Sequence, residues 1–281
     1  MDSERKGDNE QAAFWNGAAA CAWVEAQELM DTMFTPIETM LVQAVSTEHD
    51  QRVLDVGCGT GSTTLAASRQ LGTKGHCVGI DISEPMIDTA QDRAKREGLT
   101  TTFLCGDAQR HAFEPASFDL IMSRFGVMFF DDFVGAFKNL RQAARKNAEL
   151  RLIVWRSAEE NPFMTTAERA AMALLPNMPA RRPDEPGQFA FAKESRIFGI
   201  LQESGWAAIH IEPVDFTCTF PESELLRYLA RMGPLGRVLQ NEDEQTRKRV
   251  VEAVRPAFDP YVHGDAVRFV AACWKISAQA L

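Results

Sequence analysis

Short apolar runs alternate with stretches of helical spacing between residues 50 and 156. Val53, Leu54 and Val56 make a brief, partly β-branched run that suits a strand covered on both faces. Leu65, Ala66 and Ala67 then mark the inward face of a helix from Ser62 to Gln70, with Gly72 as its stop signal. The pattern repeats with Cys77-Val78-Gly79-Ile80 as a second strand and Glu84 to Glu97 as a helix, capped at Ser83 and ended by Gly98. Thr102 to Cys105 and Phe118 to Met122 read as strands three and four, Phe133 to Arg145 as a helix, and Leu150 to Trp155 as strand five. Such alternation predicts an α/β fold, a mostly parallel sheet with helices on both faces.

The flanks read differently. Residues 1–10 offer nothing to bury and are expected to be disordered. Residues 11–47 hold Trp15, Asn16 and Trp23, then Leu29, Met30, Met33 and Phe34 at helical spacing. Thr35-Pro36-Ile37-Glu38 has the form of a new helix start, so two short helices are predicted ahead of the first strand. Between 157 and 192, Pro162, Pro176, Pro179, Pro183 and Pro186 leave one helix, Phe163 to Leu174, and a long irregular loop of the kind that serves as a lid. A helix from Glu194 to Ser204, a strand from Ala208 to Phe216, helices within 221–263 broken at Gly233-Pro234, and a last strand from Val267 to Ile276 complete the chain. The prediction is one domain over 11–281, without a linker. It comprises the amino-terminal helices 11–47, a ligand-binding half 50–156, and two cap insertions, 157–192 and 221–263, that wall a substrate pocket.

Composition narrows the function. Net charge is −9, with 45% hydrophobic and 25% charged residues, which suits a globular protein and not one with a general attraction for nucleic acid. The local basic groups Arg93-Lys95-Arg96, Arg141-Arg145-Lys146 and Arg247-Lys248-Arg249 read as solvated helix faces. Six scattered cysteines, without a Cys-x-x-Cys pair or nearby histidine, read as small buried thiols of a reduced cytoplasm. No run is long and uncharged enough to span a bilayer, and the polar amino terminus has no signal region. No metal site is expected, since Asp131-Asp132 alone is too small an acidic cluster.

The candidate chemistry follows the first strand. Gly57, Gly59 and Gly61 occupy alternate positions in a strand-to-helix turn, where the missing Cβ lets the backbone turn sharply and a ligand approach closely. The free N–H groups of the new helix are expected to point at that ligand. A dinucleotide fingerprint has its glycines at first, third and sixth places, so this turn is tighter. Asp81 closes the second strand, where a carboxylate can accept both hydroxyls of a ribose.

With Asp55, the three glycines, Asp81 and the later Gly106-Asp107-Ala108, the chain resembles the class I S-adenosylmethionine-dependent methyltransferases over most of residues 50–155. The resemblance implies a Rossmann-like sheet of seven strands with the last antiparallel, and S-adenosyl-L-methionine as cofactor. It implies that the Gly57 to Gly61 loop holds the methionine part, Asp81 the ribose, and Asp107 and Ala108 the adenine edge; Cys58, Ile82 and Gln109 are further cofactor candidates, and Met86 and Ile87 pack either near the adenine or simply in the core. Ser123 and Phe125, after strand four, are further cofactor candidates. In related enzymes the amino-terminal segment folds over the ligand; Trp15, Asn16 and Trp23 are either its contacts or anchors of the helices to the core. Arg124 either holds a carboxylate or pairs with an acid of the core. Many relatives have Pro-Gly-Gly before strand five; here Asn147 can take the left-handed conformation instead.

The implied activity is methyl transfer to a small, largely apolar acceptor, loosely as in the ubiquinone and menaquinone C-methyltransferases. The alternatives are an NAD(P)-dependent oxidoreductase and a non-catalytic adenosyl-ligand-binding protein of the same fold. Among the histidines, His49, His76 and His210 read as structural, while His111 and His263 could reach the pocket; no catalytic base is assigned.

Overall fold

The computed structural model describes residues 11–47, 50–175, 178 and 185–281. The expectation for residues 1–10, His49, and Pro176, Pro179 and Pro183 of the irregular loop lie outside them. The amino-terminal segment forms α1 (Ala18–Glu25) and α2 (Gln27–Val42). The alternating half is β1 (Arg52–Val56), α3 (Ser62–Leu71), β2 (His76–Asp81), α4 (Glu84–Glu97), β3 (Thr102–Cys105), β4 (Phe118–Arg124), α5 (Phe133–Ala143) and β5 (Ala144–Trp155). There follow α6 (Pro162–Ala171), α7 (Glu194–Glu203), β6 (Ala207–Pro221), α8 (Leu225–Arg231), α9 (Gly233–Leu239), α10 (Glu244–Val254), β7 (Val262–His263) and β8 (Ala266–Gln279).

The strands form one mixed sheet in the order β3-β2-β1-β4-β5-β8-β6, with the two-residue β7 pairing β8 as an addition to the seven expected. β1 to β5 are mutually parallel, whereas β8 runs antiparallel to both β5 and β6. The order reverses beside β1, which has β2 on one side and β4 on the other. In such sheets a crevice opens there, outside the carboxyl ends of the strands, because the connecting helices leave to opposite faces.

Two local expectations are corrected. Thr35-Pro36 does not start a helix: α2 runs through it, since Pro36 forfeits one backbone bond while the Thr32 and Thr35 hydroxyls donate to the carbonyls of Glu28 and Asp31 at 2.9 and 2.8 Å. Buried Met33, Phe34, Ile37 and Leu41 then lie along one face of the continuous helix. The segment 145–149 is drawn into β5 and not left as a turn; Asn147 does adopt φ 67°, and its N–H reaches the carbonyl of Ala280 at 2.6 Å.

The basic groups are also less solvated than their spacing suggested. Arg93 is only 13% exposed in its ion pair with Asp31, and Arg145 clasps Asp119 with one nitrogen 2.8 and 2.7 Å from the two carboxylate oxygens. Arg247 donates to the carbonyls of Leu239 and Glu242. Four of the six thiols, Cys58, Cys77, Cys218 and Cys273, are buried and all six are free.

Candidate functional site

The crevice holds a cavity of about 1060 Å³. Single ligand sites are commonly ~300–1,000 Å³, so this space can take a nucleoside-sized molecule and a second one beside it. At one end it is lined by Gly57, Cys58, Gly59, Asp81, Ile82, Met86, Asp107, Ala108 and Gln109, and at the other by Phe34, Phe125 and Trp155; Phe129 and Phe130 line it from the turn that Gln109 ties to the first end. Trp15 and Trp23 line it from the amino-terminal segment.

The glycine loop is built from its own backbone bonds. The N–H groups of Gly57 and Cys58 both reach the carbonyl of Ile80, at 2.8 and 3.1 Å, and that of Gly61 reaches Cys58 at 2.9 Å. Gly59 donates instead to Asp81 Oδ2 at 2.8 Å, and Ser83 to Asp81 Oδ1 at 3.0 Å. Thus Asp81 is oriented by one bond on each oxygen and keeps lone pairs for a further donor. Burial pushes its carboxyl up from the ordinary value, opposed by those N–H groups. The lining reaches Thr60 but does not include Ser62 to Thr64, so the expected display of helix N–H groups to the ligand is not what the loop offers. Its contribution is a Cβ-free wall: a Cβ on Gly59 would stand in the cavity with only Met86 Sδ, 3.7 Å away, near it.

Asp55, Gly61, Asn16 and Ser123 do not line the cavity. Asp55 lies beneath the loop, accepting from Thr64 Oγ1 at 2.6 Å, and burial raises its pKa to about 6. A Cβ on Gly61 would meet Ala90 at 2.9 Å and Phe103 at 3.1 Å, so its place is set by packing. Ser123 donates to the carbonyl of Val56 at 2.7 Å and accepts from Val127 N–H, bracing the turn after β4. Asn16 spends its amide on Ile82 O at 3.0 Å and Glu84 N–H at 2.8 Å. It thereby supplies the cap that the Ser83 hydroxyl does not give to α4. Gln109 likewise accepts the N–H groups of Asp131 and Asp132, tying the turns after β3 and β4 together.

The turn after β4 and the segment bearing Trp15 were expected at the ligand, but the contacts that place them were not legible in the sequence. Gly126 touches Gly57 backbone to backbone: a Cβ on Gly126 would fall 2.6 Å from Gly57 Cα, which sets the floor of the crevice. Phe125 holds φ 70°, an uncommon conformation for an aromatic residue, and its ring stacks on Trp155 at 4.7 Å with Phe34 edge-on at 5.4 Å. Long-range pairing of β4 with β5 creates this box, which no local spacing announces. Trp15 meets Phe129 edge-on at 5.2 Å, so the amino-terminal segment closes over the turn after β4.

Arg124 lines the cavity with its guanidinium carbon 5.8 Å over the Phe34 ring. Its Nη1 is buried without a hydrogen-bond partner among the described residues. No histidine of the described residues lines the cavity: the His111 ring packs on Phe113, and His263 sits on β7 at a separate surface hollow. Among the described residues no group of three or more histidine, cysteine or acidic side chains could hold a metal ion, and no helix is long and apolar enough to cross a membrane.

Residues 53–147 match the family described as methyltransferase domain. Aklanonic acid methyltransferase of Streptomyces sp. is 38% identical over 104 residues, covering 37% of this chain and 47% of that protein. A ubiquinone/menaquinone biosynthesis C-methyltransferase of Vibrio vulnificus is 25% identical over 166 residues, covering 56% of this chain and 64% of its own. The matched stretches therefore span about half to two thirds of these curated relatives. In fold, the YcgJ protein of Bacillus subtilis superposes with a TM-score of 0.57 at 16% identity, over 87% of this chain and 98% of the other. The turn geometry, the acid closing β2 and these likenesses agree: residues 53–147 carry a methyltransferase domain, of the kind that uses S-adenosylmethionine as cofactor.

Proposed function

We propose that the chain transfers a methyl group from S-adenosylmethionine to a small, largely apolar acceptor. The observation that carries this reading is the continuity of one cavity from the Gly57–Asp81–Asp107 end to the Phe34–Phe125–Trp155 end. Bound there, the cofactor would supply an electrophilic methyl on a sulfonium. The Gly57–Gly59 wall would lie against its methionine part, Asp81 would accept from the ribose, and Asp107 and Ala108 would flank the adenine. Trp15, Trp23 and Met86 would cover it, while Asn16, Asp55, Gly61, Gln109 and Ser123 would act by holding those walls in place. The aromatic end would align an apolar acceptor with the methyl and exclude water, and alignment in a dry site can supply much of the acceleration of a displacement.

Among the described residues no histidine lines the cavity, which favours positioning over a dedicated histidine base. Cytoplasmic residence belongs to the same reading, supported by four thiols buried as small apolar groups. An NAD(P)-dependent oxidoreductase is less well supported, since the glycine turn is one residue tighter than the dinucleotide fingerprint. The test is incubation of a metabolite extract with the protein and methyl-labelled S-adenosylmethionine, followed by mass spectrometry. A protein-dependent labelled product of low polarity is expected; labelling of no small molecule would remove the reading.

A further inference from the structure

We infer that the acceptor carries a carboxylate and that Arg124 holds it at the aromatic end of the cavity. This inference rests on the methyl-transfer reading and names the class of its acceptor: an apolar body with one anionic end.

A guanidinium has five donors in a fixed fork and stays charged at any physiological pH, so burying one without a partner is costly. Arg124 makes neither a hydrogen bond nor an ion pair among the described residues, and its Nη1 is fully buried. Five acids of the described residues line the cavity, and none makes a hydrogen bond or ion pair to Arg124; among them are Glu159, which follows β5, and Glu185. Asp31 is paired with Arg93, and Asp81 is turned to Gly59 and Ser83. Asp107 is bound by Gln109 and Arg110. Asp55 interacts with Arg124 through space, but its hydrogen bond is to Thr64 and none joins it to the guanidinium.

Position sets Arg124 among the aromatic walls, and the cofactor's own carboxylate, expected against the neighbouring Gly57–Gly59 wall, is the rival that the decarboxylated analogue separates. Arg124 ends β4, over the Phe34 ring; Phe34 is edge-on to Phe125, which stacks on Trp155 at the end of β5. Asp81 and Asp107, the ends of the adenosyl side, follow β2 and β3 on the far side of β1. The flat aromatic walls fit a ring system, and a guanidinium fork beside them fits a planar carboxylate by two parallel hydrogen bonds.

The test uses 2-naphthoate and its neutral isostere 2-naphthamide as probes, titrated calorimetrically into the protein saturated with S-adenosylhomocysteine. The native protein should bind the carboxylate roughly tenfold or more tighter than the amide. Arg124→Met should erase that preference and Arg124→Lys should retain part of it, with S-adenosylhomocysteine affinity unchanged in both as the control for folding. Equal binding of the two probes by the native protein, or no binding of naphthoate, overturns the inference even if the Met variant does not fold. A separate arm compares S-adenosylmethionine with its decarboxylated analogue. If Arg124→Met weakens the former and spares the latter, the arginine serves the cofactor's carboxylate and the acceptor assignment is wrong. Failure of native protein to bind S-adenosylhomocysteine at all would instead sink the methyl-transfer reading beneath it.

Discussion

The side-chain oxygen of Asn16 accepts the backbone N–H of Glu84 at 2.8 Å, bridging 68 residues of sequence to cap α4 from the amino-terminal segment. The same amide donates to Ile82 O, so the turn after β2 and the segment bearing Trp15 move as one. These bonds are exposed, and an N-terminal cap is worth about 1 kcal/mol, roughly fivefold in a local opening equilibrium. Asn16→Ala should therefore speed hydrogen exchange of residues 11–25 about fivefold and leave β1 and β4 unchanged. Binding of S-adenosylhomocysteine should slow exchange over 11–34 in the native protein. Unaltered exchange in both comparisons would mean that the segment is not a cover hinged on Asn16.

Asp55 makes stability depend on pH in an unusual direction. Its folded pKa of about 6 lies above the ordinary 3.8, so the folded state holds the proton longer than the unfolded chain. The stabilisation is fully present below about pH 4 and is lost as pH rises to about 6, by up to about 3 kcal/mol. Asp55→Asn keeps an acceptor for Thr64 without the charge. Its stability relative to native should rise between pH 4.5 and 7, measured by urea unfolding at each pH. A difference independent of pH would show that Asp55 stays ionised in the fold.

Neither His111 nor His263 reaches the cavity lining, and His111 is held by its contact with Phe113. Replacing either by glutamine should leave turnover within about tenfold, whereas loss of a general base typically costs about a hundredfold or more. The measurement needs the true acceptor at saturation, with cofactor affinity checked separately. A hundredfold fall at unchanged affinity, with loss of an ionisation near neutral pH, would make that histidine the base.

What the sequence disclosed and what it withheld divide along one line. Local signals placed β1 to β5, the glycine turn and the acid closing β2, because strand run, turn residue and helix stop are neighbours in the chain. Contacts between distant segments were hidden. Gly126 reads as one loop glycine until Gly57 is found against it, and Arg93 reads as a solvated charge until Asp31 and the carbonyl of Thr60 are seen on its guanidinium. Thr35-Pro36 misled because its local form fits a helix start, while burial of Phe34 and Ile37 on one face carries α2 straight through. Ser123 and Asp55 stand at the expected places in the chain, yet their side chains are turned to Val56 and Thr64.

The central claim is that this crevice binds an adenosyl cofactor through Asp81. Asp81 also holds Gly59 and Ser83, so alanine would disturb the loop as well as the ligand; asparagine keeps the size and one acceptor while removing the charge. Calorimetric titration of S-adenosylhomocysteine into native protein and Asp81→Asn tests the claim most directly. Charge-assisted bonds to a ribose are worth about 1.5 to 3 kcal/mol, so binding should be clear in the native protein and roughly ten- to a hundredfold weaker in the variant. No binding to the native protein, or equal affinity in the two, would contradict it.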